Sequence, residues 1–227
     1  MTRHEELDLL IAGADDMGWA LDGTAALGLL RLVDELEEAN SRFNLTAIRD
    51  RPGMLRKHVL DSLSLQPHLH GMRFADVGTG AGFPGLPLAI VNPGRRFALI
   101  EATGKKARYV RETAERLGCA NVEVVHARAE AYRPTELFDG VMARALSSLR
   151  EFVANAGHLC LPGGRLLAMK GRRPDDEVSA LPKSYRVVAV HRLKLPGLDD
   201  ERHLVELSRA GSPRGPAGAV AHPSGKT

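Results

Sequence analysis

Hydrophobic residues recur every three or four positions through residues 4–40, as in the run that begins at Leu27 and Leu30. This spacing places apolar side chains on one face of a helix. It predicts an N-terminal helical layer, with Asp22 and Thr24 as candidate caps. After a polar, irregular stretch, a similar pattern predicts one further helix from Gly53 to about Leu65.

Beyond residue 70 the pattern changes to short apolar runs separated by amphipathic stretches. The runs predict strands near 72–77, 96–100, 122–126, 138–143 and 164–169, and the stretches predict helices at 85–91, 105–117 and 148–159. This alternation is typical of a parallel, doubly wound sheet. Two more runs, at 185–195 and 203–208, are joined by a short loop, which favours an antiparallel pair at one edge. We therefore predict an α/β fold with a Rossmann-like, seven-stranded, mostly parallel sheet.

The pattern divides the chain into a helical extension packed on the core at 1–66, a core at 67–209 and a tail at 210–227. Gly, Pro, Ala and Ser dominate the tail, so we expect disorder there. A length of 227 residues suits one α/β domain and leaves no room for a second catalytic domain.

Composition changes this picture little. The net charge of +3 is mildly basic, so a polyanionic partner must meet a local basic patch. The N-terminus lacks a signal-peptide core and no run reaches transmembrane length, so we expect a cytoplasmic protein. Cys119 and Cys160 form no C-x-x-C pair and the nine histidines show no spacing such as H-E-x-x-H, so we expect reduced thiols and no metal.

A glycine-rich turn, DVGTGAGFPG over residues 76–85, follows the first predicted strand and leads into a helix. Glycine permits positive φ and close approach to a ligand, and the free N–H groups of a helix start favour polar or anionic groups. The turn matches the dinucleotide fingerprint, with Glu101 placed to hold ribose hydroxyls. The pattern D-x-G-x-G-x-G that begins at Asp76 instead resembles the first motif of class I S-adenosylmethionine-dependent methyltransferases. A turn without a ligand is the third interpretation.

Other polar residues follow the remaining strands, where open α/β sheets bind ligands. They are Glu101, Lys105 and Lys106 after the second strand, Arg128 and Glu130 after the third, Arg144 after the fourth and Lys170 after the fifth. Arg144 directly follows apolar residues, so it must leave the core and emerge at the crevice. For the lysines and Glu130, a solvated helix face or a local ion pair is the alternative.

A second group precedes the sheet. Asn44, Thr46 and Arg49 lie in a predicted loop, while His58 and Asp61 share one face of the predicted helix. The alternatives are a local pair between His58 and Asp61, and a turn role for Asn44.

These motifs, in this order and spacing, resemble the RsmG family, also called GidB, of bacterial guanine-N7 methyltransferases of small-subunit (16S) ribosomal RNA. The matching segments are 44–50, 58–62, 76–85, 104–106, 144–145, 170–171 and 197–204. The resemblance runs from about Leu27 to Leu207. It implies the class I methyltransferase fold with an N-terminal helical extension, S-adenosylmethionine as cofactor, and 16S ribosomal RNA or the small ribosomal subunit as partner. Phe83 departs from the family's frequent leucine, and Glu101 from its commoner aspartate.

The resemblance also implies residue roles, with Glu101 added from the wider class I pattern. The predicted cofactor-binding residues are Gly78, Thr79, Gly80, Gly82, Phe83, Glu101, Ala129, Glu130 and Arg144. The predicted RNA-binding residues are Asn44, Thr46, Arg49, His58, Asp61, Lys105, Lys106 and Lys170. Arg144 is also the predicted catalytic residue, orienting either the cofactor carboxylate or the guanine edge. Guanine N7 carries a lone pair and no hydrogen, so in-line transfer requires no general base.

Three other functions stay open. An NAD-dependent oxidoreductase needs a substrate domain or a catalytic Tyr/Lys or His/Asp pair, which we do not find. A non-catalytic RNA-binding module needs many of the same residues as an enzyme. A small-molecule methyltransferase is disfavoured by basic residues on both sides of the predicted pocket. The short apolar elements carry no spare hydrophobic stripe, so we expect a monomer.

Overall fold

The computed structural model describes residues 1–145, 147–198 and 200–211. One sheet contains the strands β1 Arg73–Val77, β2 Arg96–Glu101, β3 Val122–His126, β4 Phe138–Arg144, β5 Cys160–Lys170, β6 Tyr185–Arg192 and β7 His203–Arg209. Their order is β3-β2-β1-β4-β5-β7-β6. Strands β1 to β5 pair in parallel, and β7 runs antiparallel to both β5 and β6. The predicted α/β fold, with its antiparallel edge pair, is confirmed.

The α-helices of the described residues are α1 Arg3–Asp16, α2 Gly23–Phe43, α3 Arg51–Met54, α4 Asp61–Leu63, α5 Gly85–Val91, α6 Gly104–Arg116, α7 Leu149–Ala156 and α8 Asp175–Ser179. Of the two candidate caps of α2, Asp22 has that role, because its carboxylate accepts the Thr24 N–H at 2.9 Å. The sequence pattern misses α8, which has no apolar period and begins with three acidic residues. No helix among the described residues has the length and apolar character needed to cross a membrane.

The helix predicted from Gly53 to about Leu65 is not regular. Helix α3 leads into a six-residue π-helix, Leu55–Leu60, which leads into α4. A π-helical turn is wider than an α-helical one, so its side chains leave the α-helical faces. The prediction of one regular α-helix is therefore corrected, but His58 and Asp61 still face the same side, because both lie within 3.5 Å of the Arg144 guanidinium.

Two hydrophobic clusters cover the two faces of the sheet. The larger joins the N-terminal helices, through residues such as Leu10 and Leu32, to the strands through Phe74 and Leu167. The smaller packs α7, through Phe152, against the opposite face. The loops after the parallel strands remain at the carboxyl edge of the sheet, where ligands bind in such folds. The tail predicted to be disordered lies outside the described residues, apart from a turn at 210–211.

Candidate active site at the carboxyl edge of the sheet

The glycine-rich turn after β1 needs residues that accept positive φ. Gly78, Gly80 and Gly82 have φ values of 69°, 63° and 93°. The turn is held to the neighbouring strand, because the Gly78 N–H donates to the Ile100 carbonyl at 2.9 Å. A Cβ atom at Gly78 would meet no atom within 4 Å. The backbone of the turn therefore borders open space, as a cradle for a ligand requires.

Asp76, at the end of β1, supports the turn from below and is fully buried. Its Oδ2 atom accepts hydrogen bonds from the Thr79 hydroxyl at 2.6 Å and the Gly85 N–H at 2.8 Å. Its Oδ1 atom has no hydrogen-bond partner among the described residues. Burial raises the pKa of Asp76 to about 6, against the lowering effect of these two hydrogen bonds. A buried, unpaired carboxylate oxygen beside an open turn fits a donor on a ligand.

Glu101, at the end of β2, is buried next to the same turn. Its two oxygens accept the Gly80 N–H at 2.9 Å and the Thr103 N–H at 2.8 Å. Each carboxylate oxygen has a second lone pair, so the group can still accept hydroxyl donors. A cavity of about 200 Å³ opens here, bordered by Gly78, Glu101, Ala129 and Glu130. The structure thus brings the predicted cofactor residues of three strand ends together.

A second cavity, of about 510 Å³, lies at the end of β4 and contains Arg144. Arg144 Nη1 donates to Asp61 Oδ2 at 3.2 Å and to the Lys57 carbonyl at 3.2 Å. The other Asp61 oxygen, Oδ1, accepts from Arg202 Nε at 3.1 Å. The Asp61 side chain is only 4% exposed. One buried carboxylate therefore holds two arginines at the wall of this cavity.

His58 connects this cavity to the glycine-rich turn. Its ring stacks on Phe83 with the centroids 5.0 Å apart, and the Arg144 Cζ atom lies 5.7 Å from the Phe83 centroid. His58 Nε2 is 2.8 Å from the Thr46 hydroxyl, and Nδ1 is 3.5 Å from Arg144 Nη2. Burial and the positive charge of Arg144 lower the pKa of His58 to about 4. A neutral ring satisfies both contacts when Nε2–H donates to Thr46 and Nδ1 accepts from Arg144.

This environment predicts an acid-sensitive contribution to stability. The ordinary pKa of 6.5 exceeds the folded value of about 4, so between these values the unfolded chain binds the extra proton at His58 and acid favours unfolding. Asp76 has the opposite effect on stability. Its pKa is raised from 3.8 to about 6, so between these values the folded chain binds the extra proton and acid favours folding. We therefore expect the wild type to lose stability relative to His58→Gln as the pH falls through this window, by at most about 1.4 kcal/mol per pH unit. Urea denaturation of both proteins at a series of pH values measures this difference, and a constant difference would contradict it.

The predicted RNA-binding loop is fixed from within. Asn40 is buried, and its Oδ1 atom accepts the Thr46 N–H at 2.9 Å. Asn44 ends α2 in a left-handed conformation with φ of 50°, and its side-chain oxygen accepts from Arg49 Nη2 at 3.1 Å. Asn44 and Arg49 are both exposed. The loop therefore presents polar and cationic groups on a backbone that is hydrogen-bonded to Asn40.

The lysines occupy different surroundings. The Lys105 ammonium lies 4.4 Å from the centroid of Phe43, an aromatic ring that is 43% exposed. Lys106 follows in the first turn of α6 and is half-buried. Lys170 lines the second cavity and forms an ion pair with Glu177 of α8, with 2.7 Å between nitrogen and oxygen.

The predicted RNA residues thus form two groups: Asn44, Arg49, Lys105 and Lys106 outside the cavity, and Thr46, His58, Asp61 and Lys170 in or next to it. The sequence interpretation gave no role to Asn40, Phe43, Asp76 or Arg202. Asp76 and Arg202 stand within the matching segments 76–85 and 197–204, so the motifs contained a signal for both. The role of Asn40 depends on a hydrogen bond that only the folded loop shows.

Comparison with known proteins identifies a family of ribosomal RNA methyltransferases. The family model described as rRNA small subunit methyltransferase G matches residues 27–205. The ribosomal RNA small subunit methyltransferase G of Nitrosococcus oceani is 48% identical over 191 residues, which cover 84% of this chain and 89% of that protein. The protein of the same name from Pseudomonas paraeruginosa is 46% identical over 210 residues, which cover 92% and 98%.

Solved structures share the fold at lower identity. A SAM-dependent methyltransferase from Aquifex aeolicus has a TM-score of 0.54 at 23% identity, over 70% of this chain and 94% of that one. The glycopeptide N-methyltransferase MtfA, solved with S-adenosylmethionine, has a TM-score of 0.59 at 13% identity, over 68% and 88%. They confirm the predicted Rossmann-like methyltransferase fold. The family match and the close relatives confirm the RsmG (GidB) resemblance, and this chain belongs to the rRNA small subunit methyltransferase G family.

Proposed function

We propose that this chain transfers a methyl group from S-adenosylmethionine to N7 of a guanine in 16S ribosomal RNA. The observation that carries the proposal is the pair of cavities at the ends of the adjacent strands β1 and β4. One is bordered by a glycine-rich turn with acidic neighbours. The other is lined by two arginines, two lysines, the neutral His58 and the Asp61 carboxylate. The first suits a nucleoside cofactor and the second an electron-rich base on a polyanion.

The residues of the first cavity fit the cofactor. The open side of Gly78 leaves room for it, Glu101 can accept its ribose hydroxyls, and the apolar Ala129 borders the space for adenine. The unpaired Oδ1 of Asp76 is an acceptor for its ammonium group, directly or through a water. When bound, the cofactor supplies an electrophilic methyl group on a sulfonium.

Replacement of Glu101 tests this arrangement. Glu101→Ala removes the ribose acceptor and frees the Gly80 and Thr103 N–H groups, so we expect the affinity for S-adenosylmethionine to fall roughly 10- to 100-fold. Titration calorimetry measures the affinity. The exposed Glu123 of β3 supplies the control, and Glu123→Ala should bind as the wild type does. Equal affinity of the Glu101 and Glu123 variants would contradict the assignment.

The second cavity supplies positioning rather than proton transfer. Arg144 stays protonated and cannot remove a proton. His58 is a poor base, because its pKa is about 4 and its two nitrogens face Thr46 and Arg144. A nucleophile with a lone pair and no hydrogen needs neither. What it needs is alignment with the methyl group at near-attack distance, which fixed side chains provide.

The outer group of cations should bind RNA phosphates. Arg49 and Lys105 are both exposed, and the Phe43 ring beside Lys105 offers a face for an unpaired base. We expect the double variant Arg49→Ala/Lys105→Ala to bind small subunits more weakly and to lower the slope of log affinity against log salt by about one to two. Filter binding over a salt series measures this slope.

Lys183 provides the matched control for the salt series. It is exposed and precedes β6, whose first residue pairs with Arg209 at the end of the antiparallel β7. It therefore lies toward the edge of the sheet opposite the two cavities. Lys183→Ala should keep the wild-type slope, and an unchanged slope in the double variant would remove Arg49 and Lys105 from the RNA interface.

The direct test uses labelled product. The purified protein is incubated with methyl-labelled S-adenosylmethionine and small subunits from cells that lack the endogenous activity, and the RNA is digested for mass spectrometry. Label in 7-methylguanosine is the expected result. Absence of label, with cofactor binding confirmed by calorimetry and several assembly states tried, would transfer the substrate assignment to another RNA or a small molecule. We also propose that the protein is a monomer and that it works in the cytoplasm.

A further inference from the structure

Two histidines and a glutamate from three separate elements meet at the antiparallel edge of the sheet. His68 ends a short 3₁₀ turn before β1, His191 lies on β6 and Glu206 on β7. Glu206 Oε1 is 3.0 Å from His68 Nδ1 and 2.9 Å from His191 Nε2. The two imidazole centroids are 4.3 Å apart. One potential ligand atom from each residue lies within 4.8 Å of the other two.

These groups form a donor set that zinc accepts. Zinc takes imidazole nitrogens and carboxylate oxygens at about 2.0–2.2 Å in a tetrahedral arrangement, which separates ligand atoms by roughly 3.4 Å. The present separations from Oε1 are a few tenths of an ångström shorter, and the two imidazole nitrogens lie within 4.8 Å of each other, so metal binding requires rotations of these side chains. Glu206 Oε2 points to another neighbour, Arg165, whose Nε lies 3.9 Å away. That contact orients the carboxylate and leaves Oε1 for a metal.

Solvent access favours a cation here. The side chains of Glu206 and His68 are 10% and 16% exposed, whereas that of His191 is 38% exposed. A metal can therefore enter beside His191, with a water as its fourth ligand.

We propose that His68, His191 and Glu206 bind one zinc ion or a similar divalent transition-metal ion. The site shares no residue with the glycine-rich turn or with the Asp61 network. Its three ligands connect the segment before β1 to β6 and β7, so the metal stabilises the folded chain and takes no part in methyl transfer. The proposal is independent of the proposed function.

Metal titration separates this site from a plain hydrogen-bonded cluster. The whole protein is stripped with a chelator and titrated with zinc by calorimetry, and with cobalt(II) by visible absorption. The variants are His191→Gln, which changes a half-exposed side chain, and Glu206→Gln. His70→Gln is the control, because His70 is exposed and only two residues from His68.

We expect one zinc per chain, a four-coordinate cobalt spectrum, and a higher melting temperature with zinc in the wild type and the His70 variant. The His191 and Glu206 variants should bind at least roughly tenfold more weakly. Absence of binding to the wild type, or equal binding by all four proteins, would overturn the site and leave a hydrogen-bonded cluster only.

Discussion

Replacing Arg144 by alanine is expected to lower the methylation rate at saturating cofactor and RNA by about 100- to 1,000-fold, the usual loss when one positioned donor is removed from an active site. Arg144 has five N–H donors, and its contacts with Asp61, Lys57 and His58 account for three. The others can contact a ligand in the second cavity. Arg144→Lys keeps the charge but not the planar fork, so it should recover only part of the rate.

Two readouts decide which ligand Arg144 orients. If it holds the cofactor carboxylate, calorimetry will show weaker binding of S-adenosylmethionine to Arg144→Ala. If it holds the guanine edge, cofactor affinity will stay within a few-fold of the wild type and single-turnover methylation will carry the whole loss. Arg150, an exposed arginine of α7, is the control, and Arg150→Ala should turn over normally. Full turnover by Arg144→Ala at saturating cofactor would remove Arg144 from the catalytic machinery.

The sequence predicts β1 and β2 well because each has a short apolar run bounded by turn residues. Strand β5 begins four residues before the predicted 164, because Pro162, Gly163 and Gly164 within it read as a turn. It also predicts that Gly78 and Glu101 border one cavity, since the glycine-rich turn and Glu101 follow adjacent strands and the carboxyl ends of parallel strands meet. The π-helical turn at Leu55–Leu60 was not predictable, because α- and π-helical turns draw on the same residue types.

Contacts between residues far apart in the sequence could not be predicted either. Asp61 and Arg202 are 141 positions apart in the chain. No local sequence pattern indicates that Arg202, just before β7, donates to the Asp61 carboxylate in α4. The same holds for the cluster of His68, His191 and Glu206. We predicted no metal site because the histidines show no short ligand spacing. Such spacing cannot detect a site whose ligands come from three separate elements.

These contacts explain how the N-terminal helices contribute to the second cavity. The π-helix places His58 between Thr46 and Arg144, and α4 supplies the carboxylate that holds Arg144. The helical layer that covers one face of the sheet therefore also builds a wall of the second cavity. Loss of that wall should affect stability and methylation together.

Asp61→Ala tests this coupling and has the largest expected effect on stability. The change leaves Arg144 and Arg202 without their shared carboxylate, and their side chains are only 24% and 25% exposed. Removing one partner of a buried ion pair costs about 3–5 kcal/mol, and partial solvent access of the arginines favours the lower end. Urea denaturation at neutral pH measures the loss of unfolding free energy, and we expect methylation to fall with it.

Two further variants identify the cause of the loss. Asp175 forms an exposed ion pair with Arg173, so Asp175→Ala should cost no more than about 1 kcal/mol. Adding Arg202→Ala to Asp61→Ala removes one of the two arginines that lose Asp61 and should recover part of the stability. The recovery should be small, because Arg202 keeps an ion pair with Asp200, and activity should not return, because Arg144 would still lack its anchor. If Asp61→Ala costs no more than the Asp175 control, the two arginines do not depend on Asp61, and the wall of the second cavity is held by packing of the π-helix alone.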